Sequence, residues 1–310
     1  MEEMITCRVL TGPTASGKSE IAVRIAEQEG WDIICMDSMQ IYRRMDIGTA
    51  KPTPDEMRGV IHHMLDICEP TDSYSVSQYR KEAERLVFDL HQNQKKEVLF
   101  VGGTALYLQA LMHPMGMGQV PANNTLRVKL HAAAEKPNGR VQLHRHLERI
   151  VPVTAARLPV NDLRRIIRAI EVYEATGIPF SEQPERTDTS KKHIRWVVVS
   201  TALERLTLYD RINQRVTRMI RHGLADEVKA LLEEGVPENA QSMNGLGYKE
   251  MVPYLRGECS LEDAAERIRT GTRHYAKRQM TFLRREETIR YIRTDQDDAE
   301  EKIRESLKEE

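Results

Sequence analysis

The sequence predicts an α/β protein, a parallel sheet flanked by helices in the P-loop NTPase-like manner, interrupted by a helical insertion. Three observations carry this. A short apolar, β-branched run at 6–10 leads into the glycine-rich stretch GPTASGKSE at 12–20, after which helical periodicity continues to residue 29. Two more buried-strand candidates, 32–36 and 97–101, alternate with helical segments near 75–94 and 104–112, the order of strands joined by helical crossovers. From about 121 to 190 the strand signals stop, and LRVKLHAAAE, VQLHRHLERI and NDLRRIIRAIEVYEATG read as amphipathic helices set apart by prolines and glycines.

RWVVVS at 195–200 restores a strand, and the long helical segments 209–234 and 260–285 close the core. The expected division is a first core part at 1–117, a helical insertion at 118–193, the rest of the core with basic C-terminal helices at 194–294, and an acidic tail at 295–310. That tail, DQDDAEEKIRESLKEE, carries eight acids against three bases and reads as a solvated helix or a frayed end.

With 310 residues the chain is long enough for one large core and a smaller domain. Its formal net charge of -1 rules out a global field that would announce an acidic partner, so any basic surface must come from local clusters. Cys7, Cys35, Cys68 and Cys259 lie far apart without a CxxC pair, which fits neither a disulfide framework nor a zinc site and points to reduced thiols. The start MEEMITCRVLTG lacks a signal peptide's basic end and apolar run, and no later stretch is apolar enough for a bilayer, so a cytoplasmic protein is expected.

Gly12, Gly17, Lys18 and Ser19 satisfy G-x-x-x-x-G-K-[ST] between a strand and a helix. Glycines at those places let backbone N–H groups turn toward a diphosphate, the helix N-terminus adds its dipole, Lys18 adds a charge, and Ser19 is a candidate Mg²⁺ ligand. Asp37 stands where the second strand ends, at the sheet edge where ligands bind. Three roles are open to it: a magnesium ligand in phosphoryl transfer, a general base beside bound phosphates, or the N-cap of a helix over 38–42. The third strand, EVLFVGGT, has no terminal aspartate, which argues against an ordinary ATPase.

The strings GPTASGKS, DSMQIYRRMDIGTAKP, HHMLDICEP, YSVSQYR and VGGTALYLQALM, followed by NDLRRIIRAIEVYEATG, YDRINQRVTRMIRHGLADEV, MNGLGYKEM and YAKRQMTFLRR, resemble the bacterial tRNA dimethylallyltransferases (isopentenyl-tRNA transferases). The resemblance spans nearly the whole chain, to about Thr294. It implies that Gly12, Pro13, Thr14, Ala15, Ser16, Gly17, Lys18 and Ser19 hold the diphosphate of dimethylallyl diphosphate, with Mg²⁺ at Ser19. The five-carbon group then passes to the exocyclic amine of the adenosine 3′ of the anticodon. Asp37 becomes the candidate base, because an adenine amine must shed a proton as the new bond forms. Thr104, after the glycine pair of VGGT, matches a substrate-contact position; a helix N-cap is its other reading. Arg211 and Arg215, four apart on one helix face, are candidates to reach the diphosphate, or else are solvated partners of Asp210 or Asp226.

A monomer acting on the tRNA anticodon stem-loop is the expected assembly. Between Arg267 and Arg293 nine Lys or Arg residues face only Glu286 and Glu287, a phosphate-backbone footprint expected to include Lys277, Arg278, Gln279 and Arg284. Arg157, Arg164, Arg165 and Arg168 around Asn161, Asp162 and Leu163 form a second cluster in the insertion, a candidate clamp on the anticodon arm of the tRNA. By the resemblance, Ser38, Met39, Gln40, Arg127 and the loop Met243, Asn244, Gly245, Leu246, Gly247 and Tyr248 also lie near the RNA. The target base must leave its stack to meet Asp37; Tyr42, Tyr107 and Tyr248 are available for stacking, though each also suits a core. A P-loop kinase and a nucleotide-switched RNA-binding protein are the competing readings.

Overall fold

The computed structural model describes residues 4–113, 120, 122–179, 182 and 194–309. Two compact units emerge, one combining 1–112 with 190–310 and the other comprising 113–189. The first holds β1 (Ile5–Thr11), α1 (Lys18–Glu29), β2 (Asp32–Cys35), α2 (Pro54–Met57), β3 (His62–His63), α3 (Val76–Gln94), β4 (Val98–Val101) and α4 (Ala105–Met112). The second contains α5 (Asn124–Ala134), α6 (Gly139–Ile150), α7 (Pro152–Ala155) and α8 (Leu163–Thr176). The first unit then resumes with β5 (Ile194–Ala202), α9 (Arg205–Arg221), α10 (Leu224–Glu233), α11 (Tyr248–Leu255), α12 (Leu261–Leu283), β6 (Arg290–Arg293) and α13 (Ala299–Lys308).

The sheet order is β3-β2-β4-β1-β5-β6, and every pairing is parallel. β2 and β4 are buried at every position and β1 over its last three, as apolar runs covered on both faces should be. One face packs around Ile34, Phe100, Tyr79, Tyr107 and Tyr248. The other packs α1 and α13 against the sheet through Ile21, Ile25, Ile33, Leu99, Ile303 and Leu307. Parallel register delivers the C-terminal ends of β1, β2, β4 and β5 to one edge, where the chain turns into residues 12–19, 36–42, 102–104 and 203–204. No helix among the described residues is long and apolar enough to cross a membrane.

Several elements depart from expectation for identifiable reasons. The segment 209–234 is two helices, because Gly223 adopts φ 92 between α9 and α10. Residues 38–42 form turns instead of a helix; Asp37 Oδ1 accepts a hydrogen bond from Met39 N at 2.9 Å, capping a turn. β3 has only two residues, too short for a periodicity signal. The basic run to Arg293 ends in the edge strand β6, where Arg290 pairs with Glu309 and Arg293 with Asp295.

The acidic tail is neither frayed nor simply solvated. Its helix α13 buries Ile303 and Leu307 completely, Arg24 bonds Glu300 at 2.6 Å, and Arg8 Nε donates to the Leu307 carbonyl at 3.1 Å. Apolar residues at helical spacing outweighed the charge count.

In the second unit α5, α6 and α8 enclose Leu143, Leu147, Ile166 and Ile170. At its heart the buried Glu171 carboxylate accepts from Arg127 Nε and Nη2 (2.8 and 2.9 Å), Arg168 Nη1 (2.5 Å) and Asn123 N (2.7 Å). These donors hold its pKa below the ordinary carboxylate value against the opposing effect of burial.

Because Ile303 is wholly buried against the sheet, replacing it with alanine is expected to cost about 2–4 kcal/mol in urea unfolding. A change under about 0.5 kcal/mol would return α13 to the status of a solvated tail.

Candidate active site

The phosphate loop connects β1 to α1 through two left-handed residues, Ala15 (φ 63) and Gly17 (φ 87). A Cβ at Gly12 would strike the Thr201 side chain, so glycine is needed there for the loop to press against β5. Ser16 Oγ and Thr201 Oγ1 bond at 2.6 Å, and Thr294 Oγ1 donates to the Ser16 carbonyl at 2.9 Å. Hydroxyls from the far half of the chain thus fix the loop from behind, leaving its mouth to the cleft.

That cleft is lined among others by Thr14, Lys18, Ser19, Asp37, Gln40 and Arg215. Arg211 joins Lys18, Ser19 and Arg215 in the contiguous groove outside the loop, near Gly17. Lys18 donates to the Pro13 carbonyl at 3.3 Å. Its pKa falls to about 8, chiefly through burial and then the neighbouring Arg215 charge, with Asp37 pulling the other way. Burial also lowers the pKa of Arg215, again against the attraction of Asp37. Desolvated cations and one carboxylate therefore share a pocket whose cations still want an anion.

Thr104 immediately precedes α4. Its Oγ1 accepts from Ser38 N at 3.0 Å, tying the end of β4 to the turn after Asp37. Gln40 Nε2 donates to the carbonyls of Thr49 and Ala50 at 3.2 and 3.1 Å.

Gln279, expected on an RNA-facing surface, is 4% exposed. Its Oε1 accepts from Thr14 N at 3.0 Å and its Nε2 donates to the Gly103 carbonyl at 2.6 Å. It therefore links α12 to the phosphate loop and to the β4 turn. Met243, Gly245, Gly247 and Tyr248 are likewise buried, while Asn244 is exposed and Leu246 half-buried. A wholly buried Met243 or Tyr248 shapes a surface without touching a partner across it. Tyr42 and Tyr107 also belong to the core, Tyr107 stacked on Tyr79 at 3.8 Å.

Of the nine basic residues from 267 to 293, Arg269 and Arg273 pair with Glu262 or Glu266 on their own helix, and Arg290 and Arg293 are paired as described above. Arg267, Lys277, Arg278, Arg284 and Arg285 are exposed. In the second unit Arg157, Asn161, Arg164 and Arg165 are exposed, Arg165 loosely paired with Asp162 at 3.4 Å, whereas Arg127 and Arg168 serve Glu171. Sequence reasoning missed Thr201, Thr294 and Glu171, whose partners lie far along the chain or in another helix.

The family model described as IPP transferase matches residues 40–286. A tRNA dimethylallyltransferase of Desulforudis audaxviator is 46% identical over 284 residues, covering 92% of this chain and 90% of the relative. One from Geobacter sulfurreducens is 43% identical over 285 residues, again covering 92% and 90%. Among solved structures, the full-length tRNA isopentenylpyrophosphate transferase of Bacillus halodurans is 38% identical, with a TM-score of 0.69 over 97% of this chain and 94% of that one. A eukaryotic dimethylallyltransferase captured acting on tRNA is 25% identical, with a TM-score of 0.78 over 97% of this chain and 77% of the other. The chain belongs to the IPP transferase family.

Proposed function

We propose that the protein transfers the dimethylallyl group of dimethylallyl diphosphate to the N6 amine of the adenosine adjoining the 3′ side of the tRNA anticodon. The observation that carries this is the shared cleft of Lys18, Arg215 and Asp37: desolvated cations for a departing diphosphate beside a carboxylate for a departing proton. In the reaction the N6 lone pair bonds to donor C1, the C1–O bond breaks, diphosphate leaves with that electron pair, and the N6 proton passes to Asp37. Lys18, Arg211, Arg215 and the loop amides meet the charge that develops on the leaving oxygen.

The exposed Ser19 hydroxyl at the helix start lines the same cavity as Asp37, a hard-oxygen setting that suits Mg²⁺ completed by phosphate oxygens and water. Among the described residues no three His, Cys, Asp or Glu side chains gather into a metal site. Bound there, the ion would add charge neutralisation on the leaving group.

Incubation with labelled dimethylallyl diphosphate and unmodified tRNA, followed by nucleoside digestion, is expected to yield labelled N6-alkylated adenosine. A phosphorylated small molecule formed from ATP would instead favour the P-loop kinase reading, which the family relatives do not support.

Replacing Asp37 with alanine should lower the single-turnover rate by about 10² or more, the scale of a lost general base, with donor and tRNA affinity changed only a few fold; a wild-type rate would strip Asp37 of that role. Lys18 gives a pH test. Its pKa in the donor-free protein is about 8, and only its charged form attracts the donor, so donor affinity should be level up to about pH 8 once the donor's own terminal phosphate, with an ionisation at about pH 6, is fully charged. Above that it should fall by up to about tenfold per unit until the bound form also titrates. The Lys18→Ala protein should bind weakly with no such slope; a parallel slope in both proteins would assign the titration elsewhere. Finally, exposed Lys277 and Arg278 are expected to follow the RNA backbone. Their double alanine variant should flatten the salt dependence of tRNA binding by roughly one log–log unit per lost contact, and unchanged lines would leave Arg164 and Arg165 as the main clamp.

A further inference from the structure

The motif GTAKP lies on the loop between β2 and α2, and the carboxylate that gathers this loop's amides comes from the other half of the chain. Glu227 of α10 takes three consecutive backbone amides on one carboxylate. Its Oε2 accepts from Asp46 N at 2.9 Å and Ile47 N at 2.7 Å, and its Oε1 accepts from Gly48 N at 3.0 Å and the Tyr248 hydroxyl at 2.7 Å. Such a run of amides forms a small anion-binding concavity, here filled by the protein's own side chain. The Tyr248 ring closes over Gly48 so tightly that a Cβ there would meet it. Nearby, the buried Lys51 ammonium donates to the Tyr42 carbonyl at 2.8 Å and to Asp46 and Asp66, both at 2.6 Å.

The clamped loop faces the cleft through its carbonyls. Arg215 Nη2 donates to the Thr49 carbonyl at 3.0 Å, and that carbonyl also takes Gln40 Nε2, which reaches on to Ala50. Ala50 sits at φ 46, a left-handed conformation that a non-glycine residue keeps only where its surroundings over-determine it. Thr49 adds its own bond, Oγ1 to the Met45 carbonyl at 2.6 Å. From Glu227 to Arg215 there is thus a continuous path of hydrogen bonds and one short stretch of backbone.

We infer that Glu227, backed by the Tyr248 hydroxyl, is a positioning residue that fixes the 46–50 loop so that the Thr49 carbonyl aims Arg215 at the donor diphosphate. Neither side chain touches the donor; each acts through the loop. The inference rests on the proposed donor site. It explains why a tyrosine buried beneath this loop retains a polar tip, and why a desolvated arginine stays oriented when its guanidinium would otherwise be free to turn.

The experiment is a double-mutant cycle on the full-length protein with Glu227→Gln and Arg215→Ala, reading kcat and KM for dimethylallyl diphosphate at saturating tRNA. A glutamine presents one acceptor in place of two, so either two loop amides or the Gly48 amide and the tyrosine lose their partner. Glu227→Gln alone should lower kcat/KM for the donor by about 10- to 100-fold, and the same change in the Arg215→Ala background should cost at most about threefold, because coupled residues are not additive. The gentler Tyr248→Phe keeps the ring and removes one donor; its smaller loss should likewise vanish without Arg215. It also keeps the test open if Glu227→Gln fails to fold. If Arg215→Ala weakens donor use but the Glu227 and Tyr248 losses multiply with it, or if those variants lower the melting temperature and leave kcat/KM intact, the positioning role is overturned while the donor site stands. A wild-type kcat/KM in Arg215→Ala would sink the donor-site reading, and the inference with it.

Discussion

The structure turns on a concentration of desolvated positive charge at the strand ends. Lys18 and Arg215 are brought together at the edge of a parallel sheet, and burial lowers the pKa of each. Like charges in such a place repel and cost free energy unless an anion joins them. Asp37 answers part of that charge; a diphosphate would answer the rest. The fold tolerates the arrangement because independent contacts hold each participant: the helix α1 and the Pro13 carbonyl for Lys18, the Thr49 carbonyl for Arg215, and the turn to Met39 and Ser38 for Asp37 and its neighbour Thr104.

The same contacts make the cleft a meeting point of distant sequence. Gln279 joins the phosphate loop to the turn after β4 and to a helix that displays Lys277 and Arg278 on its exposed side. Thr201 and Thr294 buttress the loop from β5 and from just beyond β6. The cleft and the helix bearing the exposed basic side chains are therefore tied through hydrogen-bonded buried polar groups, and such networks specify geometry at the price of tolerating little change.

Much of this was legible in the sequence where the signal was local. The phosphate loop, the two fully buried strands β2 and β4, and Asp37 at a strand end follow from residue types and spacing within a few positions. The failures have physical causes. His62–His63 is a strand only because β2 offers it partners. Residues near 290 resembled a helical charge run, yet their backbone completes the sheet edge beside β5. Charge counting misjudged α13, since Ile303 and Leu307 recur at helical spacing between acids. The burial of Gln279 and the hubs at Glu171 and Glu227 could not be read at all, because a carboxylate or amide surrounded by donors from other elements looks like any surface residue in a linear string.

Whether the phosphate loop and its cations hold the donor's leaving diphosphate is decided by calorimetric titration with inorganic diphosphate in the presence of Mg²⁺, with and without saturating dimethylallyl diphosphate. Saturable binding at one site is expected, blocked competitively by the donor and lost when Lys18 and Arg215 are both replaced by alanine. Diphosphate binding that persists undiminished alongside the donor, or in the doubly substituted protein, would contradict this placement of the diphosphate.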